Sequence, residues 1–273
     1  PLEGQHAVAF IDVQQNALYY VVAAYSSAFD GFVLDYGAYP EQNNRYFRLS
    51  NIKRTLGRAA PGSGLEGSIY KGLDALVGKL AGGTYKRDDG AEVKLSRILI
   101  DANWHISTDT VYSFCRHSDF AGLVVPSHGR GVGASSLPFA EYRKKPGDLV
   151  GLNWRVPAIR GKRQVRHVLY DTNFWKSFTF ARLATGFGDP GSLSLYKASA
   201  DHHRLIADHL AAEYRVTTVG RGRSVDEWRM KPDRFDNHFL DCLVGCSVAA
   251  SVQGVALSII GADPTPKPNK TRV

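Results

Sequence analysis

Three carboxylates stand where strands and helices of a globular protein rarely carry one. Asp12 lies inside the apolar run Val8-Ala9-Phe10-Ile11-Asp12-Val13, Asp101 closes Arg97-Ile98-Leu99-Ile100, and Asp241 falls among Phe239, Leu240, Leu243, Val244 and Val248. A carboxylate costs several kcal/mol to bury without a partner charge, so each asks for a cation. For Asp12 taken alone, the simplest answer is an ion pair with a Lys or Arg, or a place in water at the strand end. Three carboxylates brought close together need more, because they repel one another and cannot all ionise uncompensated. Hard oxygen ligands of this kind suit Mg²⁺ or Mn²⁺. Two such ions, about 3.5–4 Å apart, activate a water and stabilise the leaving oxygen in phosphodiester cleavage.

The elements that must position these acids are readable from periodicity. The run ending at Val13 predicts a strand buried on both faces, Gln14-Gln15-Asn16 a polar turn, and residues 18–24 a strand returning as a hairpin. Residues 31–36 read as a third strand. A helix opens at Gly62-Ser63-Gly64, with Leu65, Ile69, Leu73, Leu76, Val77 and Leu80 at helical spacing. Residues 97–100 give a fourth strand, then a helix with Ser107 as its N-cap, then a fifth strand over 122–126. A strand follows over 165–170, a helix over 174–184, a short strand over 193–196 and a helix over 202–214. An edge strand over 225–230 and a long apolar helix over 237–252, interrupted by Asp241, complete the pattern. This order predicts an α/β mixed sheet with helices packed on it. The first and fourth strands would be parallel neighbours, and the last helix would carry Asp241 to them.

Composition says what these acids would work on. The chain has 273 residues, 44% apolar and 22% charged, and a formal charge of +8, with a pI near 9.4. An excess of this size suggests a polyanionic partner, most often nucleic acid. It concentrates in residues 127–166, where Arg130, Arg143, Lys144, Lys145, Arg155, Arg160, Lys162, Arg163 and Arg166 face only Glu141 and Asp148. Glycines and prolines punctuate that stretch, predicting a loop- or hairpin-rich insertion that lies along a phosphate backbone. A solvated surface excursion is the alternative. Lys53 and Arg54 form a second basic cluster, and residues 263–273 a basic, Pro-rich tail expected to be disordered. No apolar run approaches a membrane span, so no membrane partner is expected. Cys115, Cys242 and Cys246 provide neither a disulfide framework nor zinc-finger spacing, which reads as a cytosolic-type chain. The chain opens Pro1-Leu2 without Met, as an excised piece of something longer would.

Several segments are familiar together. FIDVQQN, LIDANW followed by TDTVYSFC, DTNFWKS, HLAAEYR and DNHFLDCLVGCSVAAS resemble the nuclease domain of tailed-phage terminase large subunits of the lambda-like class. The likeness runs from Ala7 to about Ala250, with the motifs in family order. It implies a ribonuclease H-like domain over residues 1–262 that uses clustered acids and two metal ions, Mg²⁺ or Mn²⁺. It implies cleavage of double-stranded concatemeric viral DNA in the host cytoplasm, with a portal or procapsid and a small terminase subunit as partners. By motif, Asp12, Asp101 and Asp241 are the catalytic and metal-holding acids, with Asp171 and Lys176 supporting. DNA contacts would fall to Lys53, Arg54, Arg130, Arg143, Lys144, Lys145, Arg160, Lys162 and Arg163. No G-x-x-x-x-G-K-[ST] loop occurs, so the packaging ATPase of that family is missing from this sequence.

Other features carry less. Gly129, Gly131 and Gly133 lack the spacing of a nucleotide-binding turn, Ser135 and Ser136 lack a nucleophile elbow, and lone histidines such as His105 and His128 are usually structural. Asp35, Asp109 and Asp236 are read as surface or neighbouring acids. Two rivals remain: a junction resolvase or integrase-like nuclease of the same fold, and a non-catalytic DNA-clamping or portal-docking module.

Overall fold

The computed structural model describes residues 1–159 and 165–256. The apolar opening forms β1 (His6–Val13) and β2 (Leu18–Tyr25), both buried along almost their whole length, paired antiparallel with Asp12 opposite Tyr19. β3 (Gly31–Tyr39) extends this meander and runs three residues beyond the expected strand. The short α1 (Leu56–Ala59) is tied to the β1–β2 turn by the Leu56 N–H donating to Asn16 O at 2.9 Å. Next come α2 (Gly64–Gly82) and a small hairpin of β4 (Tyr85–Lys86) and β5 (Glu92–Val93). β6 (Leu95–Asp101) lies parallel to β1, as its apolar sequence led one to expect. α3 (His105–His117) follows, capped at Trp104; Ser107 sits one turn inside and donates to the Trp104 carbonyl, so it is not the N-cap.

β7 (Val124–Arg130) is longer than expected and enters the basic segment. That segment also holds a short hairpin, β8 (Leu149–Gly151) and β9 (Trp154–Val156), which joins the main sheet beside β10 (Val168–Asp171). α4 (Thr172–Leu183), β11 (Leu193–Leu195) and α5 (Ala200–Leu210) follow. The stretch expected to prolong α5 instead turns into β12 (Glu213–Gly220), which pairs with β13 (Arg223–Met230) as a separate two-stranded ribbon rather than an edge of the sheet. α6 (His238–Val252) closes the described fold and passes through Asp241 without a break.

Among the described residues nine strands form one sheet, in the order β11-β3-β2-β1-β6-β7-β10-β9-β8. Three antiparallel strands run into parallel β6, β7 and β10, the arrangement of a ribonuclease H-like α/β domain. α2 and α3 cover one face around Ile11, Ile69 and Ile100, while α4, α5 and α6 cover the other around Phe10, Trp175 and Leu243. α6 is apolar nearly all round, as a helix buried on several sides must be. It approaches β1 so closely that a Cβ on Gly245 would collide with the Phe10 ring.

Candidate active site

The carboxyl ends of the parallel strands lie along one edge of the sheet, and each delivers a charged residue there. Asp12 is next to last in β1, and Asp101, Arg130 and Asp171 end β6, β7 and β10. Alternation along the strands then selects the face. Asp12 shares a side with Val8 and Phe10, and Asp101 with Leu99, all in the core beneath α6. Asp241, in the first turn of α6, comes down on the same place.

The electrostatics follow from that convergence. Burial, then the charges of Asp12 and Asp241, push the Asp101 carboxyl well above its ordinary range. What opposes them is local: the backbone N–H groups of Asn103 and Ala102 pull the other way, with Oδ1 accepting from the Asn103 N–H at 3.3 Å. Asp241 is also held up by burial and by Asp12 and Glu213, against the pull of Lys176. Its side chain keeps 35% of its surface open, so water reaches it even though its neighbours crowd it.

Two internal cations hold two of the acids. Lys176 Nζ stands 3.1 Å from Asp241 Oδ1 and 2.5 Å from Glu213 Oε1. Burial opposes its charge, but Asp241 and Glu213 outweigh burial and raise its pKa. Asn237 Nδ2 donates to the same Glu213 oxygen at 2.7 Å, while Oε2 is buried without a partner among the described residues. His238 Nδ1 donates to Asp12 Oδ2 at 2.7 Å, and Gln14 Nε2 donates to both Asp12 oxygens at 3.1 and 3.0 Å. For His238, too, burial disfavours the charge, yet the bond to Asp12 and the nearby Asp236 lift its pKa to about 9, making it an imidazolium at neutral pH. Asp12 therefore has a cationic partner, a histidine rather than the Lys or Arg a lone buried acid suggests.

The remaining residues sort by distance from this cluster. Asp171 Oδ1 accepts from the Asn173 N–H at 3.0 Å and the Val132 N–H at 3.2 Å, capping α4 and anchoring the loop after β7. That places α4, and with it Lys176. Arg130 is exposed on the same sheet edge, and Lys53 and Arg54 are exposed just before the α1 tie to the β1–β2 turn. Arg143, Lys144 and Lys145 are exposed beside β9, where Arg155 stacks on Tyr142 at 3.8 Å. Arg160, Lys162 and Arg163 lie outside the described residues, as does the tail from 263. Asp35 accepts from the Tyr20 hydroxyl at 3.1 Å and lines a cavity of about 340 Å³ with Tyr36, Tyr196 and Lys79, apart from the three acids. His128 binds the Tyr112 hydroxyl and Asn103, and His105 is exposed at the start of α3.

Residues 1–260 match the model of a family described as terminase large subunit gpA, endonuclease domain. The chain belongs to that family. Among curated proteins none matches it. A solved structure similar to this terminase nuclease domain is a mutant nuclease domain of the large terminase subunit gp2 of bacterial virus Sf6, with manganese. The two share 14% identity over 90% of this chain and 89% of that one, with a TM-score of 0.46.

Among the described residues of this terminase domain, no three His, Cys, Asp or Glu side chains are drawn tightly enough to hold an ion as they stand. The donor set nonetheless suits a divalent cation: oxygen only, with Asp101 raised by its neighbours and lacking an ion-pair partner among the described residues. Glu213 and His238 were not singled out from sequence. His238 had a signal, standing three residues before Asp241 on one face of the same helix. Glu213 had only its place in the segment HLAAEYR, because its strand carries no apolar alternation.

Proposed function

We propose that this terminase nuclease domain is a divalent-metal-dependent endonuclease that cuts double-stranded viral DNA. The observation that carries the reading is the convergence of Asp12, Asp101 and Asp241 at the carboxyl edge, with Asp101 in the field of the other two. Asp12, Asp101 and Asp241 would hold the cation, Mg²⁺ or Mn²⁺, two ions in the full site. When bound, it supplies neutralising charge and an acidified water for attack on a phosphodiester. Lys176 pairs with Asp241 and with Glu213, and His238 hydrogen-bonds Asp12. Arg130, Lys53, Arg54 and the exposed Arg143-Lys144-Lys145 run grip phosphates, with Arg160, Lys162 and Arg163 assigned by sequence alone. Phosphate contacts position a duplex without reading it, so cutting has little sequence preference. In the full-length protein the substrate is concatemeric DNA in the host cytoplasm, handed over with a portal or procapsid and a small terminase subunit.

A second reading is a DNA-clamping module whose isolated domain is silent. In its favour, Lys176 and His238 already engage two of the three acids. Plasmid cleavage by the purified chain in Mn²⁺, Mg²⁺ or EDTA, beside Asp12→Asn, separates the two. Metal-dependent nicking and linearisation lost in the variant supports the nuclease. DNA binding indifferent to metal, with no cleavage, supports the clamp.

A further inference from the structure

His238 is built into its place from three sides. Its Nδ1 donates to Asp12 Oδ2 at 2.7 Å. Its ring stacks on Tyr19 with centroids 4.4 Å apart and planes 23° from parallel. Its Nε2 is buried, without a hydrogen-bond partner among the described residues, and the group it faces is Asp236 Oδ1 at 3.7 Å, an ion-pair contact longer than a hydrogen bond. Asp236 is itself fixed, since its Oδ2 accepts from the Leu49 N–H at 2.9 Å. Leu49 opens the turn that leads to Lys53 and Arg54. A carboxylate, an imidazole and a second carboxylate thus run from a basic surface loop to Asp12, mostly out of water.

We propose that His238 is a positioning residue for Asp12, holding the carboxylate in the one orientation that faces Asp101 and Asp241, with Asp236 holding His238 in turn. Gln14 alone does not do this, because its amide bonds both Asp12 oxygens almost equally and leaves rotation about the carboxylate axis to the single directional bond from His238. An outer partner of this kind orients a metal-binding carboxylate and typically changes metal affinity about 10–100-fold when removed. The inference rests on the reading of Asp12 as a metal-holding acid.

The test measures Mn²⁺ affinity by calorimetry and plasmid cleavage for wild type, Asp12→Asn, His238→Ala, His238→Asn and Asp236→Ala. The Asn side chain places an amide donor near the position of Nδ1, so His238→Asn is expected to keep Mn²⁺ affinity within a few-fold of wild type, while His238→Ala loses roughly tenfold or more. Asp236→Ala, which frees the far nitrogen, is expected to weaken Mn²⁺ by about tenfold without touching Asp12, and it carries the test if His238→Ala does not fold. Duplex DNA affinity in EDTA is expected to be the same in all folded variants. His238→Ala and Asp236→Ala binding Mn²⁺ like wild type, while Asp12→Asn does not, would overturn the positioning role and leave the metal site standing. His238→Asn as impaired as His238→Ala would also overturn it, because a positioning donor had been restored. A wild-type chain that neither binds Mn²⁺ nor cleaves would remove the metal reading and this inference with it.

Discussion

Lys176 Nζ sits 3.1 Å from Asp241 Oδ1, on a side chain only 11% exposed, and shares its charge with the more deeply buried Glu213. An exposed ion pair of this length would contribute under about 1 kcal/mol. Here removal of the cation strands Glu213 in the interior, where an unpaired charge is expensive. Lys176→Met should therefore destabilise the fold by about 3 kcal/mol, the lower end for breaking a buried pair. A urea melt checks it; a loss below the surface-pair value would mean that water reaches Glu213.

Asp101 gives the opposite stability effect. Burial and two like charges keep its carboxyl reluctant to ionise, so its folded pKa lies above the unfolded one and its charge works against folding at neutral pH. Asp101→Asn is nearly isosteric and removes that conflict. It should raise the melting stability by about 1 kcal/mol, the size of other gains bought at active sites, while abolishing cleavage. Calorimetric melting beside the plasmid assay reads both.

His209 supplies a pH-dependent term. Its Nδ1 accepts from the Phe239 N–H at 3.3 Å, which requires the neutral ring. Burial, then the charge of His238, holds its pKa down to about 4 against an ordinary 6.5. The unfolded chain takes up this proton near pH 6.5 and the folded chain only near pH 4, so the contribution is complete above 6.5 and drains away as the pH falls between the two values. At about 1.4 kcal/mol per pH unit the whole loss is about 3 kcal/mol. Urea midpoints from pH 7.5 down to pH 4.5 should fall less steeply for His209→Asn, which keeps an acceptor without the titration.

Arg143, Lys144 and Lys145 are tested through salt. Replacing all three by Ala should weaken duplex binding equally across unrelated sequences. If each meets one phosphate, the slope of log affinity against log salt should shrink by about 3, near 0.9 per contact. Fluorescence anisotropy in EDTA measures it, and an unchanged slope would place the duplex elsewhere.

Gly245→Ala probes the seat of α6. A methyl there would strike the Phe10 ring, two residues from Asp12. The helix must shift or the ring must leave its rotamer, an overpacking cost of about 2–3 kcal/mol. A melting curve like that of wild type would mean that α6 slides freely over β1.

Much of the candidate site was legible in the sequence, for a local reason. Asp12, Asp101 and Asp241 each break an apolar pattern, and a pattern of period 2 or 3.6 is set by neighbours a few positions away. The same locality made β1, β2, β6, α2 and α6 readable, and misled where it was weak. β12 was mistaken for the end of α5 because Tyr214 continues the spacing of Leu205 and Leu210, while an exposed two-stranded ribbon needs no alternation to announce itself. β8 and β9 hid inside a basic segment for the same reason.

What the tertiary structure alone decided is which charge answers which. Sequence patterning asked for a cation at Asp12, and only the packing of α6 across β1 and β2 placed His238, 226 positions away, against it. Likewise Lys176 meets Asp241 and Glu213 because α4, capped by Asp171, packs against α6 and against β13 of the ribbon. A buried carboxylate specifies the chemistry of its partner through desolvation, but not the partner's address, because the pairing energy exists only after distant elements have packed.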